Sequence, residues 1–229
     1  MKKIFAILLA CFTTFAPINV LAEENEVGKN NNDMLKIQLV SLEVTTEFLD
    51  SQAFVNYRQE GNKYIAEIVD KYSGEIVASY SETPDIPIEN IRNKNVKSAI
   101  STYDTTLDGE KNLVSGSNLF KAYVSARVTI TAGQSWRQID KAWDEKHTAG
   151  SSGGYYLTGN STYIGTSSFP TTSLKIDING VIESNQSNTV GTGVNFNLCQ
   201  TLGFNMSGSA SSNWYARKTY NTSIYINVM

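Results

Sequence analysis

The sequence is poor in the residues that usually build reactive sites. Its 229 residues include one histidine and two cysteines. Cys11 lies in the apolar N-terminal segment, so Cys199 would be the only cysteine left after cleavage behind residue 22. One cysteine and His147 can form neither an internal disulfide nor a zinc site of familiar ligand spacing. A Cys199–His147 nucleophile pair is not expected either, because no neighbouring residue in the sequence would lower the pKa of the thiol.

Other functional classes lack their characteristic residues as well. The net charge of −3 does not provide the basic surface that nucleic-acid binding requires. No stretch after residue 22 approaches the ~18–20 apolar residues of a membrane-spanning helix. The spacing of Asp140 and Asp144 is typical of solvated surface charges rather than of facing glycosidase acids. We therefore expect a protein that is not an enzyme, with no catalytic residue, cofactor or metal and no nucleic-acid partner; a hydrolase is the remote alternative.

Residues 1–22 have the composition of a secretory signal peptide. Two lysines precede an apolar run from Ile4 to Phe15, and Val20-Leu21-Ala22 forms a cleavage site. The competing sequence Leu8-Leu9-Ala10-Cys11 resembles a lipoprotein box, which would leave a lipidated Cys11 as a membrane anchor. Cleavage after Ala22 accounts for more of the apolar segment. The sequence thus predicts a secreted, extracellular chain of 207 residues, with anchoring at Cys11 as the alternative.

Charged residues are distributed unevenly along the rest of the chain. Residues 23–33 form a polar leader that we expect to be flexible. Residues 23–147 contain 34 charged side chains in 125 positions, whereas residues 148–229 contain five in 82. Ser, Thr, Asn and Gly fill 44 of those 82 positions. A charged β-rich part, 34–147, would thus precede a charge-poor β part, 148–229, as two domains or as one continuous domain.

Alternating apolar and polar residues indicate strands in both parts. Lys63–Asp70 lies in a meander bounded by glycine turns, and Phe120–Ala132 alternates without interruption. Apolar residues at helical spacing predict short helices over 88–103 and 136–147, the second after a capping box. Asn179-Gly180 predicts a hairpin turn. Because short connections favour antiparallel pairing, we predict a mainly β fold, an antiparallel β-sandwich with a meander and one or two short helices.

The segment Val190–Ala210 has apolar or small residues at almost every even position and no charge. Its halves have nine residues each, close to the ~9–11 that cross a bilayer as a tilted strand. It would be either a pair of half-buried sandwich strands or an amphipathic hairpin that enters a membrane. The pattern is similar to the insertion hairpins of aerolysin-type β-pore-forming toxins. The apolar residues of this candidate hairpin are Val194, Phe196, Leu198, Leu202, Phe204 and Met206.

A second candidate surface is the aromatic and basic cluster of Trp214, Tyr215, Arg217 and Lys218. Such a cluster suits a membrane interface or stacking on a sugar ring. The residue types favour the simpler interpretation, a strand with one core aromatic and outward cations. We predict binding or assembly at the cell exterior through an uncharged C-terminal β surface. Its partner would be a glycan, a component of the cell envelope or a protein surface. The alternative is a β-pore-forming or membrane-damaging protein that inserts residues 190–210.

Cleavage after Ala22 should give a secreted chain that begins at Glu23. The expected result follows from the small and permitted residues at the cleavage site. N-terminal sequencing or the intact mass of secreted material measures it. A chain that begins at a diacylglycerol-modified Cys11 would contradict the prediction.

Overall fold

The computed structural model describes residues 34–92, 100–150 and 153–229. The predicted signal peptide, the leader and Cys11 lie outside these residues. The described chain is mainly β, with two antiparallel sheets and two short helices. This arrangement confirms the predicted fold class.

The first sheet, which we call sheet A, contains six strands. They are β1 (Met34–Gln38), β2 (Leu42–Leu49), β9 (Tyr156–Ile164), β10 (Ser173–Asn185), β11 (Asn205–Ser207) and β12 (Tyr215–Val228). Their order is β1-β2-β12-β10-β9, and β11 also pairs with β12. Two strands of the charged part of the sequence therefore share a sheet with the charge-poor part.

The second sheet, sheet B, is a meander of six consecutive strands. They are β3 (Ala53–Glu60), β4 (Lys63–Asp70), β5 (Ile76–Pro84), β6 (Ser101–Asn112), β7 (Lys121–Ala132) and β8 (Arg137–Ala149). Helix α1 (Ile88–Arg92) lies between β5 and β6, and helix α2 (Phe196–Thr201) lies between β10 and β11. The predicted helix over 88–103 is thus confirmed at Ile88–Arg92 and wrong from Ser101, where β6 begins, and its middle lies outside the described residues.

The core is formed by the inward side chains of both sheets. In β7, Val124, Ala126, Val128 and Ile130 are at most 2% exposed, and the residues that alternate with them are polar, as the alternation predicted. In β10, Ile178 and Ile182 are fully buried. Burial of each such side chain contributes about 1.5–3 kcal/mol relative to an exposed one. Because each strand alternates, the opposite face of each sheet is left to polar side chains.

The predicted helix over 136–147 is wrong, because this segment forms β8. β8 pairs with β7 along its whole length, from Arg137 opposite Ala132 to Ala149 opposite Ala122. Two register shifts interrupt the pairing, and Asp144 adopts a positive φ of 52°. These irregularities break the period of two, so the apolar spacing resembles that of a helix. Pairing with β7 satisfies the backbone groups that an isolated short helix would leave to solvent.

The predicted turn at Asn179-Gly180 is also absent, since β10 runs unbroken through it. Gly180 lies opposite Tyr220 of β12. A Cβ atom at Gly180 would stand 2.6 Å from the Tyr220 hydroxyl oxygen and 3.0 Å from the Cα of Asn160. The glycine is needed here for the close approach of a neighbouring ring and strand, not for a turn.

The segment 190–210 does not form two strands. Asn195 caps helix α2 by accepting a hydrogen bond from the Leu198 amide at 3.0 Å, and Gly203 follows the helix with a φ of 73°. Capping and chain reversal therefore override the alternation. Of the candidate hairpin residues, Val194 and Phe204 are buried in the core, and the remainder are half-buried against it: Phe196, Leu198, Leu202 and Met206.

A buried carboxylate joins the two sheets. Glu82, on the inner face of β5, is fully buried. Its Oε2 accepts from the backbone amides of Val40, Ser41 and Leu42, at 2.9, 2.9 and 3.2 Å. Its Oε1 accepts from the hydroxyls of Ser41 and Thr105. Since residues 40–42 turn the chain from β1 into β2, this side chain of sheet B holds the first hairpin of sheet A.

Replacing Glu82→Gln should lower the free energy of unfolding by about 3 kcal/mol or more, because an amide NH₂ would face buried donors that then lose their acceptor. Urea unfolding followed by circular dichroism measures the change. The matched control is Glu75→Gln, at an exposed position, which should change stability by less than about 0.5 kcal/mol. Equal effects of the two substitutions would contradict the role of Glu82.

Candidate functional site

The predicted aromatic and basic cluster is divided between two faces. Trp214 is only 6% exposed and packs edge-on against Phe196, with 6.2 Å between the ring centroids. Lys218 donates to the Leu202 carbonyl at the end of α2, at 2.6 Å. Tyr215 alternates with the buried residues of β12 and is directed to the outer face. The four residues therefore do not form one surface patch, and Tyr215 and Arg217 belong to the outer face of sheet A.

That outer face carries four tyrosines, and we call it the tyrosine face. It is formed by the outward residues of β9, β10 and β12, which alternate with the buried isoleucines of the core. Three of its tyrosine rings are well exposed: Tyr156 by 36%, Tyr163 by 47% and Tyr225 by 53%. Tyr215 is half-buried. Each end of the face has two of these tyrosines beside an ion pair.

The first cluster is centred on Glu183. Tyr156 lies opposite Glu183 on β9, and Arg217 lies opposite it on β12. The Arg217 Nε is 3.0 Å from the Glu183 Oε1. Hydrogen bonding from the Tyr215 hydroxyl, and to a smaller extent from Tyr156 and Thr158, lowers the pKa of Glu183, and Arg217 lowers it further. Burial, with the nearby Glu183 carboxylate, raises the pKa of Tyr215 to about 12. The cluster is therefore a charged acceptor surrounded by neutral hydroxyl donors.

The second cluster is centred on Asp177. Tyr163 lies opposite Asp177, and Tyr225 lies opposite Lys175. The Lys175 Nζ is 2.8 Å from an Asp177 carboxylate oxygen, to which the Ser223 hydroxyl also donates at 2.5 Å. This hydrogen bond to Asp177 raises the pKa of Lys175. The cation and the carboxylate thus neutralise each other, as in the first cluster.

The charge-poor half of the chain neutralises its own charges. Four of its five charged residues form the two ion pairs of the tyrosine face, and the fifth, Lys218, is bonded to a helix carbonyl. The predicted surface is therefore not free of charge, but its charges cancel locally. The strip between the clusters carries small or uncharged side chains: Thr158, Ser161, Asn179, Val181, Thr219 and Asn221.

His147 and Cys199 are both buried inside the fold. His147 is 3% exposed in β8, and its Nδ1 and Nε2 lie 2.6 Å from the Thr162 hydroxyl and 2.5 Å from the Tyr220 hydroxyl. Burial lowers the pKa of His147, so the ring is neutral near pH 7. Cys199 is fully buried in α2, and burial raises the pKa of its thiol to about 11. A nucleophile pair needs a thiolate beside a protonated imidazole, and burial opposes the charged form of both side chains.

The two carboxylates considered above as glycosidase acids have separate partners. Asp140 accepts from Gln138 at 2.6 Å and from Thr131, and Asp144 faces Lys146 at 3.7 Å on the exposed surface of β8. Across residues 34–92, 100–150 and 153–229, no three His, Cys, Asp or Glu side chains form a group that could hold a metal ion. In the same ranges, no helix is both long and apolar enough to cross a membrane.

A shallow groove opens on the outer face of sheet B. Its volume is about 160 Å³, and Arg58, Asp108 and Tyr123 are among its lining residues. Burial and the Asp108 carboxylate raise the pKa of Tyr123 to about 12, so its hydroxyl stays neutral. Arg58 is itself bonded to Glu67 at 3.1 Å. The polar groups of these side chains thus already have hydrogen-bond partners within the protein. The groove also presents one aromatic ring, whereas the tyrosine face presents four.

Acidification should destabilise the fold through His147. Because its pKa in the folded state is lowered, the stability it contributes is present above its ordinary pKa of about 6.5 and is lost as pH falls below that value. The thermal midpoint should therefore fall more between pH 7.5 and 5 in the natural protein than in His147→Gln, which cannot titrate. An equal fall of the thermal midpoint in the two proteins would contradict this prediction.

Sequence reasoning identified Tyr215 and Arg217 but missed the rest of the tyrosine face. Tyr156, Tyr163 and Glu183 lie on other strands, and only strand pairing brings them together. The signal in the sequence was their outward position in alternating segments. Comparison with protein-family models, curated proteins and solved structures finds no match for the chain.

Proposed function

We propose that the protein is an exported, non-enzymatic binding protein that recognises carbohydrate at the cell exterior through the tyrosine face. The observation that carries this proposal is the placement of four tyrosines beside two neutralised ion pairs on one sheet face. The ligand class follows from the chemistry of those groups, and export follows from the signal-like residues 1–22.

The side chains of each cluster match the two kinds of surface on a sugar. An exposed tyrosine ring provides a flat apolar area for the C–H face of a pyranose, with a polar hydroxyl at its edge. The tyrosine hydroxyls and the half-exposed Arg217 guanidinium provide acceptors and donors for sugar hydroxyls, and Glu183 holds Arg217 in place from below. The lowered pKa of Glu183 keeps the carboxylate ionised below neutral pH, so it continues to hold Arg217 and the Tyr215 hydroxyl there. Because the charges of the face cancel, it favours a neutral ligand over an anionic or a cationic one.

The separation of the two carboxylates supports binding rather than hydrolysis. Asp177 and Glu183 are six residues apart on the same face of β10. At about 3.3 Å per residue, they lie about 20 Å from each other. Glycoside hydrolysis uses two carboxyl groups about 5–9.5 Å apart. The two acids therefore cannot act on one glycosidic bond.

The pore-forming alternative has less support. It depends on two strands of nine residues within 190–210, and this segment contains α2 and the three-residue strand β11 instead. Leakage of a dye from liposomes is its direct test. We expect no leakage from the mature protein.

Substitution of an exposed tyrosine should weaken binding to a neutral polysaccharide. We would measure retention of the mature protein in native gels that contain soluble glucan, mannan or galactan. With the polysaccharide that binds, Tyr156→Ala should weaken binding about tenfold, which corresponds to a loss of about 1.4 kcal/mol.

The matched control is Tyr72→Ala, because Tyr72 is 87% exposed in the turn between β4 and β5, outside the tyrosine face. This variant should bind like the unmodified protein. Failure of the unmodified protein to bind any polysaccharide, or an equal loss in both variants, would contradict the proposal.

A further inference from the structure

We infer that the tyrosine face holds two subsites for one extended, neutral polysaccharide chain. This inference rests on the proposed function and adds the length and the form of the ligand. The two clusters would each hold a short stretch of sugar rings, and the uncharged strip between them would lie under the connecting rings. A ligand that reached only one cluster would use half of the face.

The two clusters are arranged almost symmetrically about one point of the sheet. That point is the pair formed by Gly180 of β10 and Tyr220 of β12. The two carboxylates of the clusters lie three residues before and three residues after Gly180. The two β12 tyrosines of the clusters lie five residues before and five residues after Tyr220. Each end of the β10–β12 pair therefore presents one carboxylate and one tyrosine at the same distance from this point.

The β9 tyrosines reach the same face only because of a bulge. Tyr156 and Tyr163 are seven residues apart, and an odd separation places two side chains on opposite faces of a regular strand. The pairing with β10 shifts between Asn179 and Val181, whose partners are Ser161 and Thr158. The extra residue in β9 restores the common orientation of the two tyrosines.

The spacing of the clusters defines the length of the ligand. The carboxylates lie about 20 Å apart along β10, by the rise of about 3.3 Å per residue. Between them the face carries no charged side chain on β10, only Asn179 and Val181. A chain that lies along the strands would meet aromatic rings and an ion pair at each end and small side chains between them. A linear neutral polysaccharide has this extended, repetitive form.

Two linked subsites have a measurable consequence. When one end of a long ligand is bound at the first subsite, its other end is held at a high effective concentration near the second subsite. This raises the affinity of the ligand by about 10²–10⁴ over binding at one subsite. A short oligosaccharide has no second half. It should therefore bind weakly, and two molecules should bind per protein.

The experiment is isothermal titration of the mature protein with size-fractionated oligosaccharides cut from the polysaccharide that it binds. Disaccharides should bind two per protein, whereas chains long enough to span both clusters should bind one per protein and at least 100-fold more tightly. Tyr156→Ala and Tyr163→Ala should each reduce the disaccharide stoichiometry to one. Each should also bring the affinity for long chains close to that for disaccharides.

The variants have exposed substitutions, and an unchanged thermal midpoint shows that they fold. Tyr156→Phe and Tyr163→Phe, which keep the ring, should retain most of the gain with chain length. Affinity that is independent of chain length, or a loss confined to one of the two alanine variants, would overturn the inference while leaving carbohydrate binding intact. Equal affinity for an uncharged Ser/Asn peptide would also overturn it. Absence of binding to every saccharide would overturn the proposed function itself.

Discussion

The fold depends on Glu82, a carboxylate that is fully buried. Its hydrogen-bond partners are amides and hydroxyls, and none of them is a cation. Its two oxygens accept hydrogen bonds from three consecutive backbone amides and two hydroxyls, and all five bonds are buried. Charge-assisted hydrogen bonds of this kind are about twice as strong as neutral ones. They offset the cost of burying the charge, and they fix where the β1–β2 hairpin lies on sheet B. The one cysteine among the described residues is unpaired, and this link holds two distant parts of the chain together as a disulfide would.

A second polar link joins the sheets at another place in the sandwich. The ring of His147, on β8, lies between Thr162 of β9 and Tyr220 of β12. Tyr220 can reach that position because Gly180, its neighbour on β10, has no side chain. Both links lie inside the sandwich and use inward side chains. The outward side chains of the same strands take no part in either link, and they interact with one another across the outer face instead.

The parts of the fold that the sequence predicts well are those with regular, local patterns. The alternation of β7 and the glycine turns of the meander depend on near neighbours in the chain. β8 was assigned as a helix because its bulges, which only its pairing with β7 explains, disturb the period of two. In the site, Tyr215 and Arg217 were recognisable because they are adjacent in sequence. Glu183 and the β9 tyrosines were not, since their convergence depends on strand order and register.

The bulge in β9 also limits how the length of this strand can change. A substitution between Tyr156 and Tyr163 keeps the number of residues between the two rings, although Gly159 has a φ of 55° that favours glycine. Loss or gain of a single residue would turn one ring toward the core and bring an inward residue to the surface. Insertions or deletions of two residues would preserve the orientation of both. Over this short stretch, variation in length therefore preserves the tyrosine face only in even steps.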